Sequence, residues 1–129
     1  MTPPVALSAA LRAHARGLYY LEAATELLID HRTWLHRDDF TVFITTHPGL
    51  LTHAEPAHLN WQAAITALDT GELPCSGGEG RMLRLAASLA EGIPVDLRDA
   101  LTGIDTNNIT LMTKAVLHTS GHRQTPHSR

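Results

Sequence analysis

Apolar residues recur along this chain at the three- and four-residue steps of an α-helix, over four separate stretches. The first runs from about Val5 to His31, where Leu7, Leu11, His14, Leu18, Leu21, Thr25 and Leu28 advance by 4, 3, 4, 3, 4 and 3 positions. His14 and Thr25 interrupt that stripe. Pro3 and Pro4 precede it, where proline is tolerated. Gly17 either divides the stretch into two helices or marks a close-packing point. Trp61, Ala64, Ile65 and Leu68 form a second face, stopped by Gly71. Met82, Leu85, Ala86 and Leu89 form a third, ended by Gly92. It opens at Ser76-Gly77-Gly78-Glu79, which has the S-x-x-E form of a capping box. A short segment from Asp96 closes at Gly103. Asp105 then caps a last helix with Ile109, Met112 and Val116 on one side, ended by Gly121.

Two regions break this rhythm. His31 to Arg37 reads as a turn holding one anchoring tryptophan, Trp34. In Asp38–Thr46, Phe40, Phe43 and Ile44 have helical spacing, while Thr41 to Thr45 are also good strand residues. A lone strand would leave its backbone groups unpaired. The expectation is therefore a short helix capped near Asp38, followed by a long loop over His47–His58. The pattern predicts an all-α fold, a compact bundle of five to seven helices around one core. Arg81–Glu91, Leu97–Leu101 and Thr106–Thr119 would form a C-terminal trihelical unit. Residues 1–121 read as a single domain and 122–129 as a polar tail.

Composition narrows the classes. The chain has 129 residues and is 43% apolar, enough to bury a core without disulfides or metals. One cysteine, Cys75, excludes an internal disulfide and suits a reducing compartment. The N-terminal residues lack a basic n-region with a long apolar run. No stretch reaches the ~18 apolar residues of a membrane span. A cytoplasmic location with no membrane partner is expected. The formal net charge of −3 argues against nucleic acid as the general partner, yet leaves room for one basic face.

Candidate chemistry is sparse. A zinc site needs three or four converging ligands. Of the nine histidines, His47, His53 and His58 are irregularly spaced. His31 and His36 do not share a helix face, and Gly121 falls between His118 and His122. H-E-x-x-H is absent, so no metal and no other cofactor is expected. His14 reads as a hydrogen-bonded core or interface histidine. Cys75 precedes a helix N-terminus, which favours a thiolate, but it serves equally as a small buried apolar residue. No G-x-S-x-G elbow is present, and Asp38, Asp39, Asp96 and Asp99 read as caps. The expectation is a chain without catalytic residues.

SGGEGRMLRLAASLA, Ser76 to Ala90, resembles the signature motif of ABC-type ATPases. That resemblance implies a turn touching a nucleotide held on an opposite subunit. DLRDALTGID, Asp96 to Asp105, resembles a Walker B strand and its D-loop, with Asp99 as the aspartate. The sequence departs from the pattern elsewhere. It has no G-x-x-x-x-G-K-[ST] loop, its only lysine is Lys114, and Ala100 stands where a catalytic glutamate belongs. The second half as a whole is similar to a family of small actinobacterial proteins. They share the cadence SGGE, L-x-x-A-x-S-L-A-x-G and P-V-D-L-x-D-A-L-T-G, with an extension into LYYLEAATELLIDH. That similarity implies no activity and carries no catalytic residue over.

Two surfaces remain. Read as a helix-turn-helix, the C-terminal unit would present Asn107, Asn108, Thr110, Lys114 and His118 to bases, with Arg81, Arg84 and Arg98 on phosphates. The N-terminal stretch carries Tyr19, Tyr20, Leu27 and Ile29 off the line of Leu7, Leu11, Leu18, Leu21 and Leu28. A helix apolar over several faces is central to a core or shared with a second chain. The expected function is a non-enzymatic helical domain that binds another protein or itself as a homodimer. A DNA-binding regulator is the alternative.

Overall fold

Gly17 does divide the N-terminal stretch. In the computed structural model, which describes residues 3–46 and 56–122, it takes φ 95°, a left-handed conformation that suits glycine. Helix α1 (Pro4–Ala15) ends there and α2 (Tyr19–His31) begins just beyond. A 3-10 turn at Trp34–His36 follows, then α3 (Asp38–Thr41), strands β1 (Ile44–Thr46) and β2 (Ala57–Leu59), and α4 (Trp61–Asp69). The chain continues through α5 (Gly77–Glu91), α6 (Leu97–Leu101) and α7 (Thr106–Thr119). The fold is all-α, a bundle of helices with, among the described residues, one small two-stranded sheet. No helix among the described residues is long and apolar enough to cross a membrane.

The Asp38–Thr46 expectation needs correcting. The helix there lasts four residues and gives way to β1. Its partner is β2, paired antiparallel with Ile44 opposite Leu59 and Thr46 opposite Ala57. β2 begins in the segment read as loop. Three residues are too few to display a period of two, so the sequence hides it. Residues 47–55 of that loop, and the tail from 123 onward, lie outside the described residues.

Helix α2 is the centre of the bundle. It packs against α5, α7 and α1. Ala23, Ala24, Leu27 and Leu28 are all buried, which accounts for Leu27 among the apolar residues off the main stripe, whereas Tyr19 and Tyr20 stay exposed. α5 supplies Met82, Leu83, Leu85, Ala86, Ala87 and Ala90 to the same continuous cluster. The main packing partner of α7 is thus α2, not its neighbour in the C-terminal unit. Met112 faces the core, whereas Ile109 and Val116 lie on the exposed side of α7.

Side-chain caps set the starts of α4 to α7, whereas α1, α2 and α3 begin without one, so Asp38 and Asp39 are not the caps expected of them. The Ser76 hydroxyl accepts from Glu79 N at 3.2 Å, and the Glu79 carboxylate accepts from Ser76 N at 2.9 Å, the reciprocal pair of a capping box. Asn60, Asp96 and Asp105 cap α4, α6 and α7. Trp34 locks the turn after α2 onto α5. It is wholly buried, its Nε1 donates to the Glu79 carbonyl at 3.2 Å, and its ring centroid lies 5.4 Å from that of Phe40. The Arg37 guanidinium sits 4.7 Å from the Trp34 ring and donates to the Pro74 carbonyl at 2.7 Å. It also pairs with Asp39 at 2.6 Å. That pairing raises the Arg37 pKa and lowers that of Asp39.

Candidate functional site

α1 and α2 are joined by a short turn, so they lie side by side, and an Arg12–Glu26 pair at 2.7 Å ties them together. One flank of this pair borders a cleft of about 480 Å³. Leu11 and His14 of α1 line it at i and i+3. Leu21, Thr25 and Leu28 of α2 line it at i, i+4 and i+7, with Tyr20 beside them. β2 contributes Ala57, His58 and Leu59, α4 its first residue Trp61, and α5 its last two residues, Ala90 and Glu91. Five elements therefore converge on one space.

Its lining mixes apolar side chains with polar groups in about equal measure. Thr25 is 4% exposed, one of two buried polar residues among those described. The rings of His14 and His58 stand 5.6 Å apart, tilted by 38°. Tyr20 and Glu91 lie exposed towards solvent. Imidazole nitrogens donate or accept by tautomer, a hydroxyl does both, and a carboxylate accepts. The arrangement suits holding a ring-containing molecule by apolar contact, stacking and a small number of hydrogen bonds.

A second cleft of about 450 Å³ lies at the start of α5, lined by Cys75, Ser76, Arg81, Arg84, Asp96 and Asp99 among others. It does not fit the ATPase resemblance. The Ser76 and Glu79 side chains are taken up in the capping box. Asp99 sits in the first turn of the helix α6, not after a strand. Nor does the thiolate reading of Cys75 gain from it. Burial, and then Glu79, push the thiol pKa up.

The residues assigned to DNA are dispersed among acids. Arg84 donates to Asp69 at 2.6 Å, and Arg81 to the Thr102 carbonyl at 3.3 Å. Lys114 stands 3.7 Å from Asp30. His118 bonds Glu22 at 2.8 Å. Asn108 is 8% exposed and faces inward, while Asn107 and Arg98 are exposed. The residues assigned to self-association divide too. Leu7, Leu11 and Leu28 are buried in the chain's own core, and Leu21 is half-buried. Leu18 and Tyr19 stay on the surface at 45% and 49%, next to Tyr20 at 45%.

Among the described residues no three His, Cys, Asp or Glu side chains converge as metal ligands. His47 and His53 lie outside them. His58, Trp61 and Glu91 were not singled out from sequence as parts of one site. They come from three elements that no periodicity relates. No family model, curated protein or solved structure matches the chain.

Proposed function

We propose that this chain is a non-enzymatic binding domain whose site is the cleft between α1, α2, β2, α4 and α5. The observation that carries the proposal is the lining itself, a volume of about 480 Å³ with Thr25, His14 and His58 set among leucines, alanines and Trp61. A concave space in which apolar side chains meet convergent polar groups is the usual place of a small-ligand site. Thermal unfolding with a panel of small ring-containing compounds tests it. Compounds that bind the native chain raise its Tm by mass action, and Leu21→Trp, which fills the cleft, should abolish the rise. A panel with no effect on wild type, or an equal effect on the variant, would refute the reading.

A second reading is favoured by a separate observation, the exposed run Leu18, Tyr19 and Tyr20 at the start of α2. Exposed aromatics are enriched at protein interfaces, and two-fold dimers are the commonest oligomers. In this reading a second copy of the chain meets the first at that corner. Light scattering across a tenfold dilution should then show a mass between monomer and dimer that shifts with concentration. Leu18→Ser with Tyr19→Ser should hold it at monomer. A monomeric wild type throughout removes the reading. DNA binding draws less support, because Arg84 and Lys114 face Asp69 and Asp30. Salt-sensitive binding of random duplex DNA would restore it.

A further inference from the structure

We infer that the second cleft, at the start of α5, binds a free α-amino acid with an apolar side chain. This goes beyond the reading of the first cleft and does not depend on it. The lining lies wholly within residues 68–100, in α4, α5, α6 and the turns between them. Its volume of about 450 Å³ falls inside the roughly 300–1,000 Å³ of small-molecule clefts. Charges of both signs reach this space from two walls. Arg81 and Arg84 stand on α5, three residues apart and so on one side of it. Asp96 and Asp99 stand at the start of α6, which packs on α5.

Local partners account for part of this set. Arg84 pairs with Asp69 at 2.6 Å, and Asp69 is outside the lining. One Asp96 oxygen caps α6 by accepting from Asp99 N at 3.2 Å. Cys75 adds no charge, since burial raises its thiol pKa. Arg81 and Asp99 remain. Arg81 uses one of its five N–H donors, on the Thr102 carbonyl at 3.3 Å. The Asp99 carboxylate accepts no hydrogen bond, and neither residue has an ion pair, among the described residues. A guanidinium and a carboxylate that share a cleft without meeting suit a ligand that carries both complementary charges. A simple anion at Arg81 would also approach Asp96 and Asp99, and a simple cation at Asp99 would approach Arg81. An α-amino acid presents its carboxylate to Arg81 and its ammonium to Asp99, and both bonds are charge-assisted. Leu68, Val95 and Ala100 line the same space and offer apolar contact to its side chain. A residue inside a peptide carries neither backbone charge, so the class selected is the free amino acid.

Backbone amide chemical shifts, followed while the full chain is titrated with L-leucine, test this. The titration runs at about pH 6.5, where α-amino groups are protonated and carboxylates ionised. Saturable shifts should centre on residues 76–81 and 96–100. N-acetyl-L-leucine, which lacks the ammonium, and L-leucinamide, which lacks the carboxylate, should each bind at least about tenfold more weakly. Asp99→Asn should erase the difference between leucine and its N-acetyl form. Arg81→Gln should erase the difference between leucine and leucinamide. Both variants are first checked for cooperative unfolding, and a merely structural loss would weaken all three compounds alike. Leu21→Trp, in the first cleft, should leave leucine affinity within about twofold. If leucine gives no saturable shift at about 10 mM, or its shifts lie elsewhere, the assignment is overturned. It is overturned too if the three compounds bind alike, if either folded variant preserves its discrimination, or if Leu21→Trp abolishes binding.

Discussion

Replacing Ser76 with alanine removes one half of a reciprocal cap and leaves the other half, a bond to the backbone N–H of residue 76, chemically possible. The lost bond is the 3.2 Å contact from Glu79 N. That N–H becomes an orphan of the first turn, satisfied only by whatever water reaches it. Losing a serine cap costs about 1 kcal/mol, whereas glycine at the same position costs a few tenths. Fraying alone would confine the loss to the first turn of α5. Here the turn is tied to the interior, because the Glu79 carbonyl accepts from the buried Trp34 indole. The full cost should therefore appear in global unfolding. For a chain of this length about 1 kcal/mol corresponds to a Tm shift of about 4 °C. Urea midpoints and thermal scans on wild type, Ser76→Ala, Ser76→Gly and Ser76→Asp give the assay. The expected order of stability is wild type near aspartate, glycine slightly below, alanine lowest. If Ser76→Ala matches wild type, the cap is not stabilising α5. If wild type also binds ATP with micromolar affinity and Ser76→Ala does not, the residue serves a nucleotide instead.

Other outcomes follow from the same geometry. His31 Nδ1 is buried without a hydrogen-bond partner among the described residues, and burial lowers its pKa against the opposing pull of Glu79 and Asp105. The folded chain then holds this proton less tightly than the unfolded chain, so stability falls as pH drops through the ordinary value of 6.5 and is regained as pH rises. Urea midpoints at about pH 7.5 and about pH 5.5 should fall more for wild type than for His31→Gln, and equal falls would exclude His31 as a source. Trp34→Ala should destabilise by about 3–5 kcal/mol, measured by urea denaturation, since a filled and hydrogen-bonded position becomes a cavity; a cost under about 1 kcal/mol would contradict the packing at Phe40 and Arg37. Elemental analysis should find no stoichiometric zinc, and about one per chain would mean that a metal site exists.

The long helices were legible because each has an apolar stripe and a stop, as in Ser76 to Gly92. The short strands were not, since β2 has three residues and its partner lies across an irregular segment. Pattern alone also left α2 undecided between core and interface. The structure surrounds it with α1, α5 and α7, which takes Leu27 and Leu28 into the chain's own core and leaves Leu18 and Tyr19 outside. The candidate site was half legible. His14 and Thr25 stood out as polar breaks in an apolar stripe, and both line the cleft. Thr25 is buried there, and a buried polar group is costly unless something compensates it, so that irregularity was itself a signal, whereas His14 is exposed. What the stripe withheld was the opposite wall, because His58, Trp61 and Glu91 are placed by long-range packing.

The central position of α2 bears on the order in which the chain is made. Synthesis delivers α2 early, α5 much later and α7 last of the three, yet all pack on the same helix. Until Thr106–Thr119 has emerged, one side of α2 stays open, with Leu27 and Ala23 lacking the cover that α7 provides. A nascent chain in that condition shows apolar surface that a chaperone or another nascent chain can hold. Arrest of translation before α7 would thus leave a species prone to aggregate, although most of its helices could already have formed.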